Sequence, residues 1–373
     1  MPYFLHHYFD PDFDHRHLRP KEMPDGSVDH YNLGYVQNVI QDQVLAEFKE
    51  VSEEAARDLD QRFVHKTPEL PVGRNCRINP ANPLQLMAEA NGFALYEDDV
   101  ISVRRTLNVR RDVDFHTGNI LFVGDLVVHG NVRAGFALKA RNILVKGTIG
   151  PAELFAQDNV IAEAGIKGGG KALIEAGNSI RAPFCENSVL KAGNDIYIDG
   201  GCLNSDLYVH GRLAIKGRFL GGVIHATSGV LVSEQLGGGA MGMVTEIHLG
   251  RDPFEVYKLE SIDEALEDLQ DLMGHYRTQM DMGEAHAAEF GPKLEKARAR
   301  EERLQIRKAA LMERMHDPEA EMKSVLMVPG QVRPGVLVSI GGVDFKVNDY
   351  YSDVRFTLKD GEIIVTSPAM RHD

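Results

Sequence analysis

The sequence has no tryptophan, only three cysteines and no long run of apolar residues. Three cysteines, Cys76, Cys185 and Cys202, are too few for a disulfide framework, which favours a reducing compartment such as the cytoplasm. No segment approaches the roughly 20 apolar residues that a membrane helix needs. The first residues also lack the basic and then apolar pattern of a signal peptide. The sequence therefore predicts a cytoplasmic protein without direct membrane insertion.

Positive charge is also scarce. The 41 lysines and arginines stand against 55 acidic residues, which gives a net charge of −14 at pH 7. An acidic chain repels nucleic acid unless a local basic patch intervenes, and we find no such patch with interleaved aromatic residues. We therefore expect no binding to nucleic acid. A chain of 373 residues that is 43% hydrophobic can form a sizeable core and more than one domain.

One short pattern recurs between residues 140 and 232: a small residue is followed, usually four places on, by a branched apolar one. The pairs are Ala140 with Ile143, Ala156 with Val160, Ala176 with Ile180, Ala192 with Ile196, Val209 with Leu213, and Ala226 with Val230. Apolar residues alternate within each unit, which predicts short strands with one buried face. A unit of about 17 residues is too short for a strand, a crossover helix and a return strand. It fits one coil of a parallel β-helix, in which like residues stack about 4.8 Å apart.

Two similar tetrapeptides lie one coil apart, "CENS" at 185–188 and "CLNS" at 202–205. This spacing predicts that Asn187 stacks on Asn204 with hydrogen-bonded amides. It also predicts that Cys185 lies near Cys202. The cysteine pair is open to two interpretations, a redox or metal site and a buried ladder of small apolar residues, and a reducing compartment favours the ladder.

Several longer phrases resemble the flagellar assembly protein A family. They are "DVDFHTGNILFVGDLVVHGNVRAGF" (112–136), "GIKGGGKALIEAGNSI" (165–180), "FCENSVLKAGNDIYI" (184–198), "LGGGAMGMVTEIHLG" (236–250) and "RPGVLVSIGGVDFKVNDYYSDVRFTLKDGEI" (333–363). The resemblance covers roughly residues 100–365. It implies a right-handed parallel β-helix with a projecting helical hairpin, in a bacterial cytoplasmic protein connected with flagellar placement or assembly. No catalytic residue or cofactor is carried over, so none is predicted.

The residues after Gly250 change character. Apolar residues at alternating spacings of three and four form a heptad seam, which predicts a helix; they are Leu259, Ile262, Leu266, Leu269, Met273, Tyr276 and Met280. A second helix carries a weaker seam that begins at Leu294, and Gly283 or the pair Gly291-Pro292 offers the reversal. We expect an antiparallel coiled-coil hairpin. Its seam either pairs internally or binds another chain, and the candidate partner-binding residues are Leu259, Leu266, Tyr276 and Met280.

The sequence on each side of the repeat predicts a folded module. At the C-terminal end, turn signals at Gly341-Gly342 and Asp360-Gly361 separate alternating apolar runs, which predicts a β-meander that covers the edge of the last coils. At the N-terminal end, residues 32–51 have the spacing of an amphipathic helix, and residues 92–109 predict two strands. The predicted domains are an N-terminal α+β module with a mobile start (1–100), the β-helix (101–250), the hairpin (251–325) and the meander (326–373).

Candidate chemical sites are few. The segment "HHYFDPDFDHRH" suggests a zinc or nickel site, but it precedes the periodic structure, so a mobile polar tail is the simpler interpretation. Its candidate ligands are His6, His7, Asp10, His15 and His17. The segment "GIKGGGK" (165–171) lacks the Ser or Thr of a phosphate-binding loop, and we interpret it as a loop that bulges from one coil. Asp195 and Asp199 share a coil, yet acids do not recur at matching positions on neighbouring coils, as a carbohydrate-active β-helix would require.

The sequence therefore favours a non-enzymatic cytoplasmic scaffold or adaptor of the flagellar assembly protein A type. It would bind a protein partner, such as flagellar or cell-pole machinery, through the helical arm or the N-terminal module. One alternative is a self-assembling filament like the bactofilins, with coils stacked end to end between chains, and folded ends argue against it. The sequence also leaves open whether the chain forms a homo-oligomer. A carbohydrate-active enzyme is the last alternative.

Overall fold

The computed structural model describes residues 1–15, 17–18, 20–22, 28–239, 243–312 and 318–368. The chain divides into two compact units, Met1–Ser188 and Val189–Asp373. Both units contain the parallel coils of a β-solenoid, and the second unit also contains inserted helices. The predicted fold class, a mainly β protein built on a parallel β-helix with inserted helices, is confirmed.

The first unit begins with antiparallel sheets. Their strands are β1 (Tyr3–His7), β2 (Lys21–Glu22), β3 (Val28–Asp29), β4 (Asn38–Val39), β5 (Val44–Glu50), β6 (Val64–His65), β7 (Cys76–Asn79), β8 (Asn82–Ala88), β9 (Gly92–Glu97) and β10 (Val100–Arg104). Helix α1 (Glu53–Asp58) and a 3₁₀ turn (Gln61–Phe63) lie between β5 and β6. The largest sheet has the order β6-β1-β5-β8-β7, and its core includes Leu5, Phe48 and Leu86.

The prediction of an amphipathic helix over residues 32–51 is wrong, because this segment forms β4 and β5. The error has a physical cause. The pairing of β5 with β8 shifts register between Val44 and Ala46, and this bulge turns two consecutive residues, Leu45 and Ala46, toward the core. A bulge therefore gave a strand the apolar spacing of a helix.

The start of the chain and the hairpin before the coils are both ordered strands. Tyr3–His7, expected to belong to a mobile start, pairs antiparallel with β5, and Leu5 is buried. The two strands predicted within residues 92–109 are confirmed as β9 and β10. Their turn residues Asp98 and Asp99 both adopt positive φ, as a two-residue hairpin turn requires.

The coils of the first unit follow. Their strands are β11 (Thr106–Val109), β12 (Ile120–Leu121), β13 (Asp125–Val128), β14 (Ala137–Ala140), β15 (Asn142–Val145), β16 (Glu153–Ala156), β17 (Val160–Ala162), β18 (Ile166–Ala176) and β19 (Ile180–Ala182), and β20 (Cys185–Ala192) begins here. They form two parallel ladders, β11-β13-β15-β17-β19 and β12-β14-β16-β18. The predicted stacking is confirmed, since Ala140 pairs with Ala156 and Ala156 with Ala176.

A column of polar side chains runs along the turns of these coils. Asn142 donates a hydrogen bond from Nδ2 to Oδ1 of Asp125 (2.8 Å). Asn159 donates in the same way to Asn142 (3.0 Å), and Asn178 donates to Asn159 (2.9 Å). An amide ladder therefore exists in this column, at residues for which the sequence analysis made no such prediction. The stacking predicted for Asn187 on Asn204 and for Cys185 near Cys202 stays a prediction, although both cysteines are buried.

The glycine-rich segment is part of a strand, so its interpretation as a loop is wrong. Strand β18 runs through it without interruption, and Gly169 and Gly170 adopt positive φ at exposed positions. The extra residues are thus accommodated as a bulge inside the strand. Gly165, which precedes β18, also has positive φ, and a Cβ there would lie 2.4 Å from Cε1 of Phe184. Only glycine fits this position.

Residues of the N-terminal part cover the first coil of this unit. The Asn38 side chain donates from Nδ2 to the carbonyl of Leu121 (2.7 Å) and accepts from the backbone N–H of Val123 (3.0 Å). The carbonyl of Tyr31 accepts a hydrogen bond from the N–H of Asn119 (2.6 Å). A side-chain amide and a loop carbonyl thus satisfy backbone groups of the first coil that a further strand would otherwise pair.

The second unit continues with the same kind of coil. Its strands are the last residues of β20, then β21 (Ile196–Ile198), β22 (Cys202–Leu203), β23 (Asp206–Val209), β24 (Arg212–Ile215), β25 (Arg218–Leu220), β26 (Gly222–Ala226), β27 (Gly229–Val232), β28 (Gln235–Leu236) and β29 (Thr245–Leu249). The predicted stacking holds here too, since Ala192 pairs with Val209 and Val209 with Ala226. The inward side chains, such as Leu213 and Val230, are fully buried.

A helical hairpin interrupts the coils after β29. Helix α2 (Pro253–Met280) runs out, helix α3 (Glu284–Met312) returns, and the short helix α4 (Pro318–Lys323) precedes the next strand. The seam residues Ile262, Leu266, Leu269 and Met273 are buried against α3. The reversal lies at Asp281–Gly283, whereas Gly291-Pro292 lies inside α3.

The returning chain completes the coils and then forms a meander. Its strands are β30 (Val325–Val332), β31 (Val336–Ile340), β32 (Val343–Lys346), β33 (Tyr351–Lys359) and β34 (Glu362–Thr366). Strand β30 pairs parallel with β27, and β31 pairs parallel with β29. Strand β33 then pairs antiparallel with β30, and β32 pairs antiparallel with β31. Both predicted hairpin turns are confirmed, at Gly341-Gly342 and at Asp360-Gly361. The meander therefore covers the edge of the last coils.

Candidate functional site at the base of helix α2

Three aromatic side chains form a column on one face of the second unit. Tyr208, His225 and His248 occupy β23, β26 and β29 at matching register positions. Their rings are nearly parallel, with centroids 5.1 Å apart for Tyr208 and His225 and 4.9 Å apart for His225 and His248. The stacking follows from the coil geometry, because in-register parallel strands place equivalent side chains directly above one another. We call these three residues the ring column.

Helix α2 begins directly over this column. Asp252 caps the helix by accepting hydrogen bonds from the N–H groups of Phe254 and Glu255 (2.8 and 3.1 Å), and Pro253 occupies the first turn, where its missing donor has no cost. Val256 and Leu259 then pack against Tyr208. The cap therefore sets where the helix starts, and the start sets which residues face the coils.

Glu260 joins the helix to the ring column. The hydroxyl of Tyr208 donates to Oε2 of Glu260 (2.5 Å), and Nε2 of His225 lies 3.3 Å from Oε1 of the same carboxylate. Nε2 of His248 lies 3.0 Å from Oε2 of Glu246. One carboxylate of α2 thus bridges two coils of the solenoid.

Further contacts fix the first turns of α2. Nζ of Lys191 lies 4.1 Å from the ring centroid of Tyr257 and 5.5 Å from that of Phe254. The ring of His210 packs edge-on against Phe254 with centroids 4.6 Å apart. Cation–π and aromatic contacts of this kind each contribute on the order of 1 kcal/mol. The base of α2 is therefore held by apolar, aromatic and polar contacts together.

Burial and hydrogen bonding shift the pKa values of this network. Burial raises the pKa of Tyr208, and the bond to Glu260 raises it further, so the phenol stays protonated and acts as a donor. Burial alone would raise the pKa of Glu260, but the hydrogen bonds from His225 and Tyr208 outweigh it and the pKa is lowered. Burial lowers the pKa of His248 despite its bond to Glu246. The carboxylate of Glu260 is therefore held in its charged form by the groups around it.

A cavity of about 270 Å³ lies beside the network. Its polar lining includes Glu246, Arg251 and Ser339, together with His225, His248 and Glu260. Both acidic and basic side chains line this space, and both histidines already contact carboxylates. The geometry describes a junction that fastens a helix to the coils, and it presents no hydroxyl held by a histidine as a nucleophile would be.

The candidate metal ligands do not converge. His6 packs against Tyr8, and His7 lies among the rings of Phe9, Phe63 and Tyr96. The carboxylate of Asp14 contacts Nδ1 of His17 (2.7 Å), the backbone of Asp10 contacts the Gln37 side chain, and the ring of His15 packs on Tyr35. Within the described ranges, no group of three or more His, Cys, Asp or Glu side chains is arranged to hold a metal ion.

The four candidate partner-binding residues make contacts inside the chain. Leu259 packs beside Tyr208, and Leu266 packs in the seam near Leu311. Tyr276 and Met280 pack against the seam around Met273. These side chains pack the two helices of the hairpin against each other or pack α2 against the coils. A docking surface for a partner would therefore lie on the exposed faces of the hairpin.

The ring column escaped the sequence analysis, although part of its signal was there. Tyr208 and His225 directly precede the repeat positions Val209 and Ala226, 17 residues apart, so their stacking follows from the alignment already made. His248 lies 23 residues further on, after a longer connection, and falls outside the regular spacing. Glu260 lies on another element altogether, and its role depends on where α2 begins.

Comparison with known families gave one decisive match. The Flagellar Assembly Protein A beta solenoid domain matches residues 105–363, which is more than two thirds of the chain. The chain belongs to this family. The match includes the coils of both units, the hairpin and most of the meander, so the flagellar assembly resemblance is confirmed. No curated protein and no solved structure matched the chain. Among the helices that the structure describes, none combines the length and apolar character that a membrane crossing requires.

Proposed function

We propose that this member of the flagellar assembly protein A family is a non-enzymatic cytoplasmic scaffold that binds a protein partner through its helical arm. The observation that carries the proposal is the junction at Glu260. The first turns of α2 are fixed to the coils, while the seam beyond them, from Ile262 to Met280, packs against α3. The part of α2 from Ile262 to Met280 extends roughly 28 Å beyond such an anchor. A fixed base and an exposed arm suit a protein that holds a partner at a set position.

The location in the cytoplasm is supported by the cysteines. Cys76, Cys185 and Cys202 are all buried, and burial raises the pKa of Cys76 to about 11. A buried thiol of high pKa such as that of Cys76 is unreactive. A chain with only three cysteines also fits a reducing compartment, where structural disulfides are rare. The family is also not known for an enzymatic activity, which fits the junction described above.

The filament alternative is disfavoured by the covered edges. Asn38 and Tyr31 satisfy backbone groups of the first coil in one unit, and β32 and β33 pair with the last parallel strands in the other. A strand edge that is already paired offers no template for another chain. We therefore expect static light scattering to give a mass that does not grow with concentration.

Affinity capture with three forms of the chain tests the proposal. The first is the full chain, the second replaces residues 262–310 with a short Gly-Ser loop, and the third carries Ile40→Asp and Ile78→Asp on the exposed surface of the N-terminal sheets. The second form keeps Val256 and Glu260, so the junction stays intact, and circular dichroism and thermal melting check that the coils fold. We expect the shortened form to lose at least one bound protein that the other two retain.

Two other results are informative. Loss of a bound protein with the Ile40→Asp and Ile78→Asp form alone would assign partner binding to the N-terminal module in place of the arm. An identical set of bound proteins with all three forms would contradict the proposal as a whole.

A further inference from the structure

Helix α3 carries a row of basic side chains along one exposed face. The row consists of Lys293, Lys296, Arg300, Arg303 and Arg307, all of them exposed. Their spacings of three and four residues place them on a single face of the helix. The row spans about 21 Å along the helix axis. Such a row is unusual for this protein, because the whole chain carries a net charge of −14.

Most of this charge is not neutralised inside the molecule. In the part of the chain that the structure describes, Lys296, Arg300 and Arg307 form no ion pair. Lys293 pairs with Glu289 on its own helix (2.8 Å), and Nε of Arg303 donates to the carbonyl of Ala299 (3.0 Å). By contrast, Lys308, which lies on the seam, reaches across to Asp263 of α2 (2.5 Å).

The reason is the composition of the facing flank of α2. On α2, Ala265 and Leu272 each lie one position before a seam residue. On α3, Arg300 and Arg307 likewise lie one position before the seam positions 301 and 308. In an antiparallel pair of helices, these equivalent positions border the same flank of the seam. Neither Ala265 nor Leu272 can pair with a cation. Leu272 is 41% exposed, and Ile306, on the other border of the row, is 64% exposed. The basic row thus lies between two exposed apolar side chains.

We propose that this face binds an acidic amphipathic helix of a protein partner. The partner's carboxylates meet Lys296, Arg300 and Arg307, and its apolar residues cover Leu272 and Ile306. Opposite charges steer the encounter and fix the register, while arginine and large apolar side chains supply most of the affinity in such interfaces. A helix laid against a groove of two helices is a common mode of peptide recognition. This inference rests on the proposed function and names the surface of the arm that performs it.

A second copy of the chain is the less favoured occupant. The exposed face of α2 is acidic, through Glu264, Glu267, Asp268 and Asp271, and so complements the basic row. However, each copy carries a net charge of −14, so pairing two copies meets a long-range electrostatic repulsion. A partner of different sequence satisfies the basic row without it.

Fluorescence anisotropy with designed peptides tests the proposal. The probe is a fluorescein-labelled helix of about four heptads with leucine on one face and glutamate on the flanking positions. A matched peptide carries lysine at every glutamate position. Both are titrated with the full chain, with the double variant Arg300→Glu and Arg307→Glu, and with Arg298→Glu, a control on the opposite flank of the same helix. Unchanged circular dichroism and melting confirm that each variant is folded.

We expect the acidic peptide to bind the full chain and the Arg298→Glu control alike, and the double variant at least about tenfold more weakly. Raising the salt concentration from about 50 to about 300 mM should weaken the binding to the full chain. The proposal is overturned if the acidic peptide does not bind, if the lysine peptide binds equally well, or if the double variant retains full affinity. It is also overturned if light scattering shows self-association that the double variant abolishes, since a second copy would then occupy the face.

These results separate the inference from the proposed function. The capture experiment can identify a partner that requires the hairpin. If the double variant still retains that partner, the scaffold proposal stands, and only the role of the basic row is excluded. Loss of that same partner with the double variant, and not with Arg298→Glu, supports both.

Discussion

The coils and the helical hairpin of the second unit bury the same kinds of side chain in different surroundings. Leu213 and Val230 in the coils are 1% and 0% exposed, with a matching residue on the strand above and below. Leu294 and Leu269 in the hairpin are each 5% exposed and packed by a single facing helix. The comparison teaches that each coil depends on its neighbours, as in other repeat proteins, whereas the hairpin beyond its base depends on its own two helices.

Removal of the meander should have the largest effect. Deletion of residues 330–373 takes away β31, which pairs with β29, and β33, which pairs with β30. Bare strand edges and apolar faces are then exposed, so we expect an aggregating product in size-exclusion chromatography. The hairpin should not compensate, because it does not cover those edges. A truncated chain that stays monomeric and equally stable would show that the last coils need no cover.

Matched leucine truncations measure the difference between the two regions directly. Leu213→Ala removes a fully enclosed side chain and should lower the free energy of unfolding of the coils by about 3–5 kcal/mol. Leu294→Ala should cost only about 2 kcal/mol, because the hairpin can relax into the space. Hydrogen exchange, read separately for coil and hairpin amides, distinguishes the two local effects. Equal costs at the two sites would contradict the comparison.

A pH titration extends the comparison to the antiparallel sheets of the first unit. Burial lowers the pKa of His7 to about 4 from an ordinary value of 6.5, and its Nε2 has no hydrogen-bond partner in the described structure. The folded form therefore excludes a proton that the unfolded chain accepts, and stability falls as the pH drops from about 6.5 to about 4. Because the ring is only half-buried, we expect a loss on the order of 2 kcal/mol. His7→Phe should flatten that part of the profile, and an unchanged slope would show that other groups cause it.

The junction between coils and hairpin should give the smallest effect. Tyr208→Phe removes the hydrogen bond to Glu260 and should weaken the docking of α2 by about 1–2 kcal/mol. Faster hydrogen exchange confined to the first turns of α2 is the expected observation. Tyr197→Phe is the matched control, since its hydroxyl donates to Asp195 at an exposed position (2.7 Å) and its loss should change little. Equal effects of the two substitutions would mean that the junction does not depend on this bond.

Sequence reasoning succeeded where structure is local and periodic. The stacking of Ala140, Ala156 and Ala176 followed from spacing alone, and so did the seam of α2 and the two glycine turns of the meander. It failed where one or two extra residues change the period. The bulge in β5 imitated a helix, and two bulged glycines allowed a strand to continue through residues expected to form a loop.

The candidate site was harder to predict than the fold. The ring column combines two residues at regular spacing with one displaced by a long connection, and Glu260 reaches it only because Asp252 caps α2 at that point. Which side chains a helix covers depends on where it starts to within one residue, a detail that apolar spacing does not determine. The basic row of α3 is visible in the sequence, but only its exposure and the lack of ion pairs to Lys296, Arg300 and Arg307 in the described structure distinguish it from a network of surface salt bridges.

The chain leaves and re-enters the coils at almost the same place. Gly250, just after β29, lies so close to α4 that a Cβ there would be 2.9 Å from Cα of Glu321, and the hydroxyl of Ser324 donates to the carbonyl of Thr227 (3.1 Å). Because the two ends of the inserted hairpin lie close together, the length of the hairpin does not affect the coils on either side of the insertion. Whole heptads could therefore be inserted into or removed from both helices together, in steps of about 10 Å, without altering the coils. The reach of the arm is thus a dimension that evolution or an engineer can set independently of the body that carries it.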